Sequence, residues 1–303
     1  MRWLTGDHYL PGRLTGYFMP WLLVLLLPAL LGALLSQRRW LALTVAVPLL
    51  LIIVAYAPLF WPLPRPVEAG AATLKVMTYN VWSENRQVAA MARLIRQEQP
   101  DIILLQEIRS RQFTELRHVL TETDPDVAYF AYDPQLLQAV ISRHPVEQLE
   151  SLRRRGQAQK VEITTHVGKV TVLNVHPLRQ GGWKRRYRQI AALLEEEILP
   201  ETGAVILAGD FNVNDHSQLY RRVTRHLSDA HRQAGFGFGF TFPSSEVNRF
   251  GRLPLPPLIR IDHIFYNEFF TARATRTLAQ SGGSDHYPVV TELIPRQLLP
   301  EQP

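Results

Sequence analysis

Cysteine is absent from all 303 residues. Disulfide staples, zinc–thiolate centres and thiol nucleophiles are therefore excluded. The side of a membrane on which the chain works stays open, because disulfide-free proteins occur on both. Acid is scarce at the start: residues 1–65 hold Asp7 alone against Arg2, Arg13, Arg38, Arg39 and Arg65. That stretch thus carries +4 of the chain's +6, and the remaining 238 residues are close to neutral. They lack the strong excess of basic side chains that marks a dedicated nucleic-acid binder. Internal repeats are lacking too, and the one short biased tract is the Gly-Phe run Gly235–Phe240.

Charge is also absent from two early runs, Tyr17–Ser36 (YFMPWLLVLLLPALLGALLS) and Trp40–Trp61 (WLALTVAVPLLLIIVAYAPLFW). At about 1.5 Å per residue, either run as a helix reaches across a hydrocarbon layer of roughly 30 Å. Pro20, Pro28, Pro48 and Pro58 are costly in a soluble helix but tolerated in a membrane span. Tyr17, Trp21, Trp40 and Trp61 stand near the ends, where an interfacial aromatic belt belongs. A cleaved signal peptide fits less well, since the first run is long, it has no A-x-A-like site after it, and a second run comes at once. A buried soluble hairpin is the other alternative. The expectation is a transmembrane helical hairpin, about 17–36 and 40–61, inside an anchor of residues 1–65. Arg38 and Arg39 between the runs, against Arg2 and Arg13 before them, place the hairpin tip in the cytoplasm and the domain that follows on the extracytoplasmic side. A stiff proline-rich linker comes next (66–73), then that domain over 74–295 and a short tail (296–303).

From Leu74 the pattern changes to short apolar strands separated by helices. Strands are expected at Leu74–Tyr79, Ile102–Gln106, Ala139–Ser142, Val161–His166, Lys169–Val175, Ala204–Ala208, Ile261–Tyr266 and Pro288–Leu293. Helices are expected at Val88–Gln99, Arg111–Thr121 and Arg185–Ile198; the first repeats Val88, Met91, Leu94 and Ile95 on one face. Interleaved helices and strands indicate a layered α/β or α+β domain.

The polar residues at strand ends carry the chemistry. Asn80 closes KVMTYN, Glu107 ends DIILLQE, and His176 comes directly after VLNV. Asp210 and Asn212 lie in GDFNVN, Asp262 opens IDHIFYN, and Asp285-His286 precede the last strand. Rigid strands can present such a set of oxygens and imidazoles at one sheet edge. Carboxylates and amide oxygens without thiols suit Mg²⁺ or Mn²⁺ better than zinc. Each residue has a plainer reading alone: Asn80 as a strand terminator, His176 as a loop residue, Asp210 and Asn212 as an Asx turn. His263, beside Asp262, is expected to be a non-catalytic residue.

The ordered set N, QE, H, GDFN, ID, SDH resembles the endonuclease/exonuclease/phosphatase superfamily, which includes DNase I-like nucleases, abasic-site endonucleases, neutral sphingomyelinases and inositol-polyphosphate phosphatases. AVISRHP (139–145) is similar to the family's I-x-S-R-x-P turn, and TFP (241–243) before RIDHIF (260–265) to bacterial membrane-bound members. The resemblance implies a four-layer α/β/β/α sandwich of two mixed sheets. It also implies roles: Glu107 as principal metal ligand, with Asn80 and Asp285 close to the metal. Asp210 and Asn212 would position or deprotonate the attacking water, Asp262 would hold His286 as an electrophile, and His176 would contact the phosphate.

The basic clusters Arg153–Arg155 and Lys184–Arg188 are read as solvated faces or as contacts to phosphate or anionic lipid. Arg186 and Gln189 match a family R-x-x-Q helix with a packing role. Phe236, Phe238, Phe240 and Phe242 fit a loop facing substrate or membrane, or core packing beside the site. Three functions stand as expectations: a membrane phosphoesterase acting on a lipid-linked phosphate, a tethered nuclease whose partner is nucleic acid, and a non-catalytic scaffold.

Overall fold

The computed structural model describes residues 12, 16–61, 72–154, 157–177, 182–247 and 254–296, with only the backbone at 148 and 149. Most of the expected linker and nearly all of the tail lie outside these residues. So does Arg155 of the first basic cluster.

Two apolar helices come first, α1 (Leu22–Leu35) and α2 (Arg39–Phe60). A tight turn joins them, in which Gln37 takes a positive φ of 53° and Arg38 N–H donates to the Ala33 carbonyl at 3.0 Å. Ala33, Leu49, Ile52, Tyr56 and Leu59 are buried, while Leu25, Leu31, Leu35, Val47, Leu51 and Val54 point outward. Among the described residues, α2 alone is long and apolar enough to cross a membrane. The first run is shorter than expected. Pro20 has no N–H to continue a helix, so Met19–Trp21 forms a turn and α1 keeps 14 residues, about 21 Å of rise.

The remainder is two six-stranded sheets packed face to face. The first runs β11-β12-β1-β2-β4-β3 and the second β5-β6-β7-β8-β10-β9. In chain order the strands are β1 (Leu74–Asn80), β2 (Ile102–Gln106), β3 (Tyr129–Asp133), β4 (Gln138–Ser142), β5 (Val146–Leu152), β6 (Ala158–Thr165), β7 (Gly168–Val175), β8 (Ala204–Asp210), β9 (Ser228–Asp229), β10 (Asp262–Tyr266), β11 (Phe270–Thr277) and β12 (Val289–Pro295). Helices α3 (Val88–Glu98) and α4 (Ser110–Thr123) cover the first sheet; α5 (Gly182–Leu193) and α6 (Gln218–Val223) cover the second.

Alternation explains the layers. Leu74, Val76, Ile102 and Leu104 face the opposing sheet, where they meet Val161, Ile163, Val172, Ile206 and Ile264. Met77, Tyr79, Ile103 and Leu105 face outward under α3 and α4. Both faces of β1 and β2 are covered, which is why they read as unbroken apolar runs. Truncating one such side chain, as in Leu104→Ala, removes fully buried surface and costs roughly 2–5 kcal/mol.

Register then places the polar ends. β1 runs parallel to β2, which sets Asn80 beside Gln106, one residue before Glu107. β8 runs parallel to β7 and antiparallel to β10, which sets Asp210 opposite Asp262. The expected Arg185–Ile198 helix begins three residues earlier and finishes as a π-helical turn over Leu194–Ile198.

Candidate active site

The strand ends converge on Asp210, a fully buried carboxylate at the tip of β8. Its Oδ2 accepts from Asn80 Nδ2 at 3.0 Å and lies 3.7 Å from His176 Nε2 and 3.8 Å from His286 Nε2. Glu107 Oε1 lies 3.2 Å from the same Asn80 nitrogen and 3.6 Å from His176 Nε2. His286 Nδ1 donates to Asp262 Oδ2 at 2.9 Å, which turns Nε2 towards Asp210. The backbone is shaped for this. Glu107 leaves β2 with φ +56°, and Gly209 sits where a Cβ would lie 1.9 Å from the Val175 carbonyl oxygen. Only glycine lets β7 and β8 approach so closely.

The turns are held by hydrogen bonds of their own. Asp210 Oδ1 accepts from Asn212 N–H at 2.8 Å, an Asx turn with Asn212 in the left-handed region at φ +52°. The turn and a functional role coexist, because Oδ1 closes the turn while Oδ2 faces the cluster. Asn80 Oδ1 accepts from Trp82 N–H, so its nitrogen is the end presented to the carboxylates. Arg186 Nη1 donates to the Asn212 carbonyl at 2.6 Å, a direct hold on the site beyond the packing role expected for it.

Asn80, Glu107, His176, Asp210, Asp262 and His286 are thus brought together. Ligand atoms of Glu107, His176 and Asp210 lie within 4.8 Å of one another, as do those of Asp210, Asp262 and His286. Asp285 is buried next to them and belongs to neither group; its carbonyl accepts from Ser244 N–H at 2.7 Å. His263 lies outside the cluster, stacked on Phe265 with Nε2 at 3.0 Å from the Val213 carbonyl. The scaffolding residues were not foreseen from the sequence. Ser284 Oγ donates to the Asn80 carbonyl at 2.6 Å and accepts from His286 N–H, tying the SDH turn to β1. Thr241 Oγ1 accepts from the N–H groups of Ile261 and Asp262. Their signal was position within SDH and TFP, where their neighbours drew attention first.

The electrostatics favour an ionised Glu107 and a protonated His286. Burial pushes Glu107 towards protonation, but His176 and the Asn80 hydrogen bond outweigh it and hold its pKa below the usual value. Burial likewise opposes a charged His286, yet the Asp262 and Asp210 carboxylates prevail and hold its pKa above the ordinary one. Two carboxylates, Glu107 and Asp210, lean on one another beside His176. An oxygen-rich, sulfur-free set of this kind fits a hard divalent cation, which relieves the repulsion between them.

Beside the cluster lies a groove of about 800 Å³ carrying Arg86, Arg109 and Arg111 with Glu84 and Glu115. On another side the Phe run meets the helical hairpin. Phe236 and Phe238 set their rings edge-on to Phe60, Phe238 also meets Tyr56, and Phe240 stacks on Trp21. Gly237 N–H donates to the Leu59 carbonyl at 2.7 Å. Gly239, at φ +62°, leaves room for the His231 ring, which a Cβ would meet at 2.4 Å.

A two-sheet sandwich with carboxylates and imidazoles gathered at its strand ends defines the class of metal-dependent phosphoester hydrolases. The profile of the Endonuclease/Exonuclease/phosphatase family matches residues 77–286, and the chain belongs to that family. Among curated proteins it is 24% identical to UPF0294 protein plu0699 of Photorhabdus laumondii over 242 residues, 76% of this chain and 86% of the other. Among solved structures it is similar to an endonuclease/exonuclease/phosphatase from Bacteroides vulgatus, with TM-score 0.60 and 21% identity. That match covers 74% of this chain and all of the other. It is also similar to D. rerio TDP2 complexed with single-strand DNA product, with TM-score 0.56 and 18% identity over 73% of this chain and 99% of the other.

Proposed function

We propose that the chain is a membrane-anchored, Mg²⁺-dependent phosphoesterase that hydrolyses a lipid-linked phosphate ester by water attack. The observation that carries this reading is the docking of an apolar hairpin, outward-facing leucines and all, directly against the loop beside the catalytic cluster. Exposed apolar surface of that extent marks a membrane or partner contact.

Glu107 would be the principal holder of the ion, with Asn80 orienting Glu107 and Asp210. When bound, it neutralises charge on the non-bridging oxygens of the substrate. Asp210 lies where it can take the proton of an attacking water, and the Asx turn keeps Asn212 next to it. His286, kept protonated at Nδ1 by Asp262, turns Nε2 to a phosphoryl oxygen. His176 offers a second donor on the Glu107 side. Water adds to phosphorus as Asp210 takes its proton, the P–O ester bond breaks, the ester oxygen that leaves takes a proton from solvent, and no covalent intermediate with the protein is needed.

The anchor reading places the catalytic domain on the extracytoplasmic side, with Arg38 and Arg39 at the cytoplasmic tip. Because the chain has no cysteine, single cysteines introduced at exposed Arg39 and Glu268 test this with an impermeant maleimide on intact cells. Labelling at Glu268 alone supports the orientation; labelling at Arg39 alone reverses it.

A tethered nuclease is the second reading, and the arginine-bearing groove favours it, as does the likeness to a fold solved with a DNA product. The test uses the full chain with Mg²⁺, offered supercoiled plasmid in detergent or reconstituted in phosphatidylcholine–phosphatidylglycerol vesicles. Release of phosphorylated headgroup or phosphate without plasmid nicking supports the first reading. Nicking without lipid turnover moves the assignment to the nuclease. No turnover of either, nor of a bis-aryl phosphodiester, points to the scaffold.

A further inference from the structure

We infer that the groove between the hairpin and the active-site loop is a hydrocarbon subsite, which seats the apolar chain of an amphiphilic phosphate ester. The inference rests on the phosphoesterase reading and specifies what the enzyme grips besides the phosphate.

The groove measures about 360 Å³, within the range of ligand-sized cavities. Tyr17 and Phe18, just ahead of the hairpin, form one wall; Phe242, Pro243, Leu255 and Leu258 of the catalytic domain form the other. One wall backs onto the chemistry: the Phe242 ring centroid lies 4.8 Å from that of His286. The other wall leads into the hairpin, whose outward side chains are apolar. Phosphate chemistry behind one wall and bilayer-type surface beside the other match the two ends of an amphiphile.

The walls are fixed by directional bonds. Trp21 Nε1 donates to the carbonyl of Leu258, a lining residue, at 2.9 Å. Behind it, Phe242 exchanges backbone hydrogen bonds with Ile259 at 3.0 Å and accepts from Leu258 N–H at 2.9 Å. Tyr17 Oη donates to the Asn212 carbonyl at 3.2 Å, so the hairpin wall reaches the catalytic loop itself. Even so, Phe18 remains 47% exposed and Leu255 39% exposed, large apolar side chains held open rather than closed on one another. A chain seated there covers them, and each methylene removed from water is worth about threefold to fourfold in affinity.

The experiment uses the full chain in detergent at a fixed substrate-to-detergent ratio, with ethyl, octyl and dodecyl p-nitrophenyl phosphate diesters. The readout is the dodecyl-to-ethyl ratio of kcat/KM in wild type, Phe18→Ser and Leu255→Asp. Both positions are exposed, so a folded protein is expected, and the melting temperature checks it. The expected result is a ratio that rises with chain length in wild type and falls at least tenfold in either variant. A ratio unaltered in both variants shows that chain-length preference comes from partition into micelles, and overturns the subsite while leaving the phosphoesterase standing. Absence of hydrolysis of all three esters by wild type removes the phosphoesterase reading, and the subsite falls with it.

Discussion

Two seams meet at Asn212, and they are built in opposite ways. On the catalytic side, Asp210, Asn80, Glu107, His286 and Asp262 are buried or half-buried and joined by directional hydrogen bonds of 2.8–3.2 Å. On the hairpin side, contact is mostly ring against ring, among Trp21, Tyr56, Phe60, Phe236, Phe238 and Phe240. Directional bonds fix atoms to within a few tenths of an ångström but fail abruptly when one partner is lost. Ring packing is spread over many weak contacts and loses strength gradually. The chain thus places precision where charge is handled and tolerance where the hairpin packs on the Phe run.

The sharpest break should come on the catalytic side. His286→Ala removes the imidazole that faces Asp210 and leaves Asp262 buried without its donor. Hydrolysis of a bis-aryl phosphodiester is expected to fall by about 10²–10⁴-fold, with the far-ultraviolet circular dichroism of the wild type retained.

Beneath the hairpin lies a third kind of contact, an ionic one. Arg260 is buried, donates to Asp229 at 2.9 Å and reaches Asp215 at 3.2 Å. Burial would raise the Asp229 pKa, but Arg260 overrides it and holds the group at about 2. Arg260→Ala leaves the buried Asp229 carboxylate without its cation, while Asp215 keeps Arg232, and is expected to cost about 3–5 kcal/mol, read as a lower denaturant midpoint. A loss under about 1 kcal/mol would show that water already reaches the pair.

His231 and His263 sharpen the same contrast through pH. Burial first, and Arg260 next, lower both to about 4. Each stays neutral in the folded protein over a range where the unfolded chain, with a histidine pKa of about 6.5, binds a proton. Unfolding therefore takes up protons between about pH 6.5 and pH 4, and stability falls as pH falls across that window by roughly 2–3 kcal/mol per histidine. A melting temperature that does not change from about pH 7 to about pH 5 would contradict this.

The smallest effect is expected where the two seams touch. Tyr17→Phe removes one hydrogen bond to the Asn212 carbonyl, and Arg186 retains the other. A loss of about twofold to tenfold in kcat is expected, whereas Arg186→Met should cost more because its bond is charge-assisted. Equal kcat in Tyr17→Phe and wild type would mean the hairpin is a tether alone.

How far the sequence foretold this depended on where each element sits. The eight strands it marked are the eight interior ones, most of which carry continuous apolar runs such as IILLQ and AVILA, while β6 (AQKVEITT) alternates. Those it missed, β3, β5, β9 and β11, are the four sheet edges. Their half-polar sequences, such as VEQLESL and FTARATRT, carry the charges that protect an edge and hide the period of two. The strand-end polar residues were legible because each borders an apolar run: Asn80, Glu107, His176 and Asp210 follow one, while Asp262, Asp285 and His286 precede one. Tyr17 and Arg186 were not legible as neighbours of Asn212, because nothing local links positions 195 and 26 residues apart. The partner of the Phe run was hidden for the same reason: alternating Gly and Phe describes a loop, and only the tertiary fold lays the hairpin on it.

The most direct test of the central claim is hydrolysis of bis-p-nitrophenyl phosphate by the full chain, tracked through Mg²⁺ addition, chelation with EDTA and re-addition. Wild type and Asp210→Asn are measured side by side. The expected result is activity that appears with Mg²⁺, vanishes on chelation, returns on re-addition, and is lost in Asp210→Asn. Turnover that survives both chelation and the substitution would contradict it.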